Sequence, residues 1–140
     1  MELSIVKSLY PLDNESDYFS FCDYQPLLES FGEILLQVDD SDYQGDSRLI
    51  LKKGESYGFF IFGWGSCSGC DWLQGCNSYE EVEELRQDLV NKIKWFNAKE
   101  MLFFLETHDW QGNYYWHEEE TKEFVSQAKE LMSSIAGETT

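Results

Sequence analysis

The segment Tyr57-Gly58-Phe59-Phe60-Ile61-Phe62-Gly63-Trp64 most constrains what this chain can fold into. A half-buried strand alternates apolar with polar residues, because successive side chains point to opposite faces. Here both faces are apolar and aromatic, so the segment predicts a central strand covered on both sides. It is far shorter than the roughly 18 apolar residues of a membrane span.

Two further strands precede it. Glu33-Ile34-Leu35-Leu36-Gln37-Val38 and Arg48-Leu49-Ile50-Leu51 are short apolar runs separated by the polar stretch Asp39 to Asp46. Lys52-Lys53-Gly54-Glu55-Ser56 has the length and the glycine of a hairpin turn. Pro26 can open a short helix over Leu27 to Phe31, stopped by Gly32. The rest of the first third shows no clean period.

Beyond residue 77 the period becomes helical. Ser78-Tyr79-Glu80-Glu81 is a capping-box sequence, and Val82, Leu85, Leu89, Ile93 and Phe96 follow at three- and four-residue steps. Asn97-Ala98-Lys99-Glu100 starts a second helix with Met101, Leu102 and Leu105 inward. A last helix runs from Glu118 to Ile135, with Phe124, Ala128, Leu131 and Ile135 on one stripe and Gly137 as its stop. Strands first and helices second predict an α+β fold: a small antiparallel sheet of about three strands, packed on one face by two or three C-terminal helices. With 140 residues, no linker and no repeat, the chain reads as one domain, residues 1–140.

Charge narrows the function. There are 27 acidic and 10 basic residues, a formal net charge of −17. With 42% hydrophobic and 16% aromatic residues the chain is nonetheless a folding sequence and not an acidic tail. Phosphate backbones and anionic membranes repel such a surface, so direct binding to nucleic acid or lipid is not expected. What remains is a partner with a basic surface, a metal or a small cationic ligand, and the partner expected is a basic protein surface. Much of the charge falls on two helical segments, Glu80, Glu81, Glu83, Glu84 and Asp88, and Glu118, Glu119, Glu120 and Glu123. These are solvated helix faces at the least. On a rigid scaffold they can also occupy a basic cleft made for nucleic acid. Trp72, Trp110, Tyr114, Tyr115 and Trp116 are candidate anchors for that interface, or else core. The start of the chain, Met1 to Lys7, has no signal-peptide pattern, so a cytoplasmic location is expected.

The chemistry-bearing segment is Gly63 to Cys76. Cys67 and Cys70 form a Cys-x-x-Cys, and Cys76 lies six residues further on. Thiolates at this spacing select zinc over hard cations. Three cysteines leave one ligand position, for which His117 is the first candidate, then His108 and Cys22, or a water. A protein ligand would close the site and make it structural; a water would leave it open to hydrolysis. Three buried reduced thiols and a redox pair are the competing readings. The redox pair is weakened because no βαβ pattern surrounds it.

Other signals are weaker. Asp40-Ser41-Asp42-Tyr43-Gln44-Gly45 starts like a calcium loop, but its twelfth position is Leu51, where a bidentate glutamate is required. His108-Asp109 and His117-Glu118 are possible base pairs with no nucleophile or oxyanion motif beside them. An enzyme is therefore not expected, a zinc hydrolase being the residual case.

Tyr43-Gln44-Gly45-Asp46, Tyr57-Gly58, Gly65-Ser66-Cys67-Ser68-Gly69-Cys70-Asp71, Trp95-Phe96, His108-Asp109-Trp110 and Trp116-His117 together resemble a family of small phage-type proteins. The resemblance spans residues 43–125. Small acidic proteins of this sort include anti-CRISPR inhibitors, among them a type II inhibitor described as a metalloprotein. The resemblance thus implies a phage anti-defence protein acting in the host bacterial cytoplasm. It would bind a type II RNA-guided nuclease stoichiometrically, block nucleic-acid loading and carry a structural zinc. The alternative is a structural zinc domain that binds some other protein.

Overall fold

The computed structural model describes residues 2–11, 23–41, 44–65, 71–110 and 117–138. Two short helices, α1 (Ser4–Leu9) and α2 (Gln25–Ser30), precede three strands, β1 (Glu33–Asp39), β2 (Gly45–Lys53) and β3 (Ser56–Trp64). Then come α3 (Tyr79–Lys92), β4 (Lys94–Phe96), α4 (Ala98–Thr107) and α5 (Glu118–Glu138). The strands form one antiparallel sheet in the order β1-β2-β3-β4, so the fold is α+β as expected.

β3 organises the molecule. Phe60 and Phe62 point to one side of the sheet, where they meet Leu27, Leu28, Leu49, Leu51, Val82 and Leu85. Tyr57 and Phe59 point to the other, into a second core with Ile50, Met101, Leu105, Phe124 and Met132. On that side Phe59 lies 4.9 Å from the Phe104 ring and 5.6 Å from Trp110, centroid to centroid. Both cores need a lid, and each gets helices: α1, α2 and α3 on one face, α4 and α5 on the other. Helices on both faces correct the expectation of helices on one. The two-sided apolar pattern of β3 already required it. No helix among the described residues is long and apolar enough to cross a membrane.

The fourth strand was not foreseen. The apolar steps Leu89, Ile93 and Phe96 predict a continuous helix, but α3 ends at Lys92 and Ile93 turns extended (φ −73°, ψ 128°). Ile93 still packs in the core beneath α3. Lys94, Trp95 and Phe96 then pair with Phe59, Gly58 and Tyr57. The helical period carries on by coincidence through a strand whose own side chains alternate. Gly58 is what lets this strand approach: a Cβ there would lie 2.8 Å from Ile93 Cγ2 and 3.0 Å from Trp95 Cζ3.

The helix starts follow the capping chemistry. The Ser78 hydroxyl accepts from the Glu81 amide, while the Glu81 carboxylate accepts from Asn77 N–H at 2.7 Å. Asn97 and Glu100 complete a reciprocal box at the start of α4. Gly137 does not stop α5, which continues to Glu138.

Gly58→Ala is expected to cost about 1–3 kcal/mol, since it forces a methyl into a filled layer. Gly137→Ala, with nothing within 4 Å of the added carbon, is expected to cost nothing or to stabilise slightly. Urea denaturation of the two variants checks the contrast.

Candidate metal centre at the end of the sheet

The sequence candidates separate in space. Cys67 and Cys70 lie outside the described residues, as do Cys22, Tyr114, Tyr115 and Trp116. Cys76 is buried in the core beneath α3, where its thiol donates to the Trp72 carbonyl at 3.3 Å. Burial pushes this thiol up to about 11, and the charges of Glu81, Asp71 and Glu84 add to the effect. His117 stands elsewhere. Its ring faces Asp40, which is bonded to Arg48, and Arg48 pairs in register with Val38 and Ile61 on the α5 side of the sheet. The structure therefore does not bring His117 to Cys76. His108 sits at the end of α4 against the Phe104 and Trp110 rings.

The flanks of the cysteine loop are tied together. Asp71, buried, accepts from Gly65 N–H at 2.7 Å through one oxygen. Its other oxygen accepts from Gln74 N–H at 2.9 Å and from the Tyr24 hydroxyl at 3.1 Å. Gln74 Nε2 returns a bond to the Gly65 carbonyl. The two ends of residues 66–70 are thus closed by one carboxylate. Asp71 follows the last cysteine of the Cys-x-x-Cys, and only its burial shows its work as a clamp.

A second cluster was missed because its members are distant in sequence. Asp40 leaves β1 and is wholly buried. Its Oδ1 accepts from Arg48 Nη1 at 2.8 Å, and its Oδ2 accepts from Asp46 N–H at 2.7 Å. Gly45 allows this tight connection: a Cβ there would lie 2.5 Å from Asp40 Oδ2. Asp40, the head of the calcium-loop lookalike, thus closes onto the start of β2, while Asp42 and Tyr43 of that segment lie outside the described residues. His117 Nε2 stands 3.5 Å from Asp40 Oδ2, and His117 Nδ1 stands 3.9 Å from Glu120 Oε2. His117 precedes α5 at φ 58°, a left-handed conformation that costs a β-carbon residue energy. One donor atom each from Asp40, His117 and Glu120 lies within 4.8 Å of the others, so these residues could hold a metal ion.

No family model, curated protein or solved structure matches the chain.

The acidic residues divide by environment. α3 and α5 cover opposite faces of the sheet, so their charges do not form one surface across it. Glu83 leaves the candidate partner-binding set: it is 3% exposed, and Arg86 and Gln87 bond its carboxylate and hold its pKa below the usual range. Glu81 is spent on its cap, Asp88 pairs with Lys92, and Glu118 pairs with Lys122. Glu80 and Glu84 on α3, and Glu119 and Glu123 on α5, are the exposed acids of the two rows besides Glu118, which is exposed but paired with Lys122. Trp72 is half exposed, whereas Trp110 packs against Phe59 and Phe124 and donates to the Leu105 carbonyl at 3.0 Å.

Breaking a buried ion pair from one side leaves an uncompensated charge, at a cost of about 3–5 kcal/mol. Arg48→Met is expected to fall in that range. Asp40→Asn added to Arg48→Met is expected to recover part of the loss, read as a positive coupling in a double-mutant denaturation cycle.

Proposed function

We propose that this protein works by stoichiometric binding to a basic protein surface, without chemistry of its own. The observation that carries this reading is the pair of acidic rows on packed helices, one on each face of a single sheet. A carboxylate on a well-anchored helix loses little freedom on binding, and a surface of one sign steers a basic partner into encounter. Each row is short enough to enter a groove that otherwise takes a phosphate backbone. Because the rows lie back to back, one partner surface engages one row at a time.

The family resemblance narrows the partner to the RNA-guided nuclease of a type II CRISPR system, with nucleic-acid loading as the step blocked. A zinc ion on Cys67, Cys70 and Cys76 belongs to the same reading. It would stiffen the loop between β3 and α3, whose flanks Asp71 already closes. The competing reading, a zinc-stabilised domain that binds some other protein, shares the surface and differs only in the partner.

Co-elution and a DNA-cleavage assay with such a nuclease test the proposal. Binding and inhibition at a one-to-one ratio are expected, weakening as salt rises. Charge reversal at Glu119 and Glu123, or at Glu80 and Glu84, is expected to abolish binding for one pair and spare it for the other. Neither co-elution nor slower cleavage would refute the nuclease as partner. Binding that ignores both reversals and salt would refute the acidic rows as the contact.

A further inference from the structure

We propose that Asp40, His117 and Glu120 bind one first-row divalent transition-metal ion, at a site separate from the cysteine loop. The distances favour this over a proton-mediated contact. A charged imidazole–carboxylate hydrogen bond closes to about 2.7–2.9 Å. Here the imidazole stands 3.5 Å from Asp40 and 3.9 Å from Glu120, too far for either bond. Two ligands about 2.1 Å from a tetrahedral ion stand about 3.4 Å apart. The Asp40–His117 spacing therefore suits two donors facing a common ion. A set of two carboxylates and one imidazole suits zinc, or a neighbour of zinc in the first row.

The surroundings orient these donors. Arg48 holds Asp40 by Oδ1 and leaves Oδ2 toward His117. Bonds of this kind to the far side of a ligand fix its geometry around a metal. His117 can give an ion only one of its nitrogens, and one such choice lies within 4.8 Å of both an Asp40 and a Glu120 oxygen. Charge agrees as well: Asp40 and Glu120 against Arg48 leave one negative charge, which a cation offsets.

One independent observation also asks for a ligand. Arg48 is fully buried beside Asp40, yet its Nε and Nη2 meet no acceptor among the described residues. Buried donors of a charged group are costly to leave unmet. A hydroxide or small anion carried by the ion would supply the missing acceptor. The ion would then join the β1–β2 connection to the start of α5, and so hold the acidic row of α5 on the sheet.

The test is cobalt(II) titration of the chelator-treated full chain, followed by visible absorption, with zinc competition. An oxygen-and-nitrogen site gives d–d bands without the near-ultraviolet sulfur-to-cobalt charge transfer of thiolates. Those d–d bands are expected in wild type and in a Cys67→Ser/Cys70→Ser variant. Glu120→Gln, a change at the half-buried rim of the cluster, is expected to weaken this binding about tenfold or more while leaving any thiolate band in place. His117→Ala is expected to do the same. Should the cysteine variant fold poorly, Glu120→Gln in the otherwise wild-type chain still decides. Cobalt bands of sulfur character alone, or affinity unchanged by both Glu120→Gln and His117→Ala, would overturn the proposal.

Discussion

Everything in this fold depends on β3 having two apolar faces. Phe60 and Phe62 must be covered on one side, Tyr57 and Phe59 on the other. Burying one large aromatic side chain is worth about 1.5–3 kcal/mol, so neither face can be left in water. A chain of this length meets the demand by placing helices on both sides of a four-stranded sheet. The outer surfaces of those helices must be polar. In this sequence they are acidic, and the charge is therefore shared between two opposite faces.

That division sharpens the meaning of the net charge. As a sum, −17 describes repulsion from phosphates and lipids. In the structure some of the 27 acids are engaged within the fold, and those paired with a cation add nothing to that sum. Glu83 is neutralised by Arg86, Glu81 caps its own helix, and Asp40 is locked to Arg48 in the interior. Within the two helical rows, the carboxylates open to a partner are therefore fewer than the sequence suggests, and other exposed acids such as Glu29, Glu55 and Glu106 lie outside them. Surface charge that sits on anchored helices can act as a recognition element; charge consumed in caps and buried pairs cannot.

What was legible in the sequence was local. The strands, the cap at Ser78, the box at Asn97 and the acidic start of α5 all rest on residues a few positions apart. The missed features are those made by distant residues. β4 hides in a helical period because Ile93 and Phe96 are apolar for different reasons, one packed under α3 and the other leaving the sheet edge toward Phe104. The Asp40 cluster joins positions more than seventy residues apart around a carboxylate held by a buried arginine. Arg48 itself was the available signal: a cation at the head of an apolar strand run calls for a carboxylate partner if it is buried. Asp71 was visible as a neighbour of the cysteines, but its bonds to Gly65 and Tyr24 needed the fold.

Native-state hydrogen exchange tests the two-sided burial of β3 most directly. The amides of residues 56–64 are expected to be among the slowest in the chain, opening only with global unfolding and together with those of β2. If that segment exchanged as quickly as the edge strand Glu33–Asp39, one face of β3 would be uncovered in solution. The arrangement of helices on both sides of the sheet, and of acidic rows back to back, would then be contradicted.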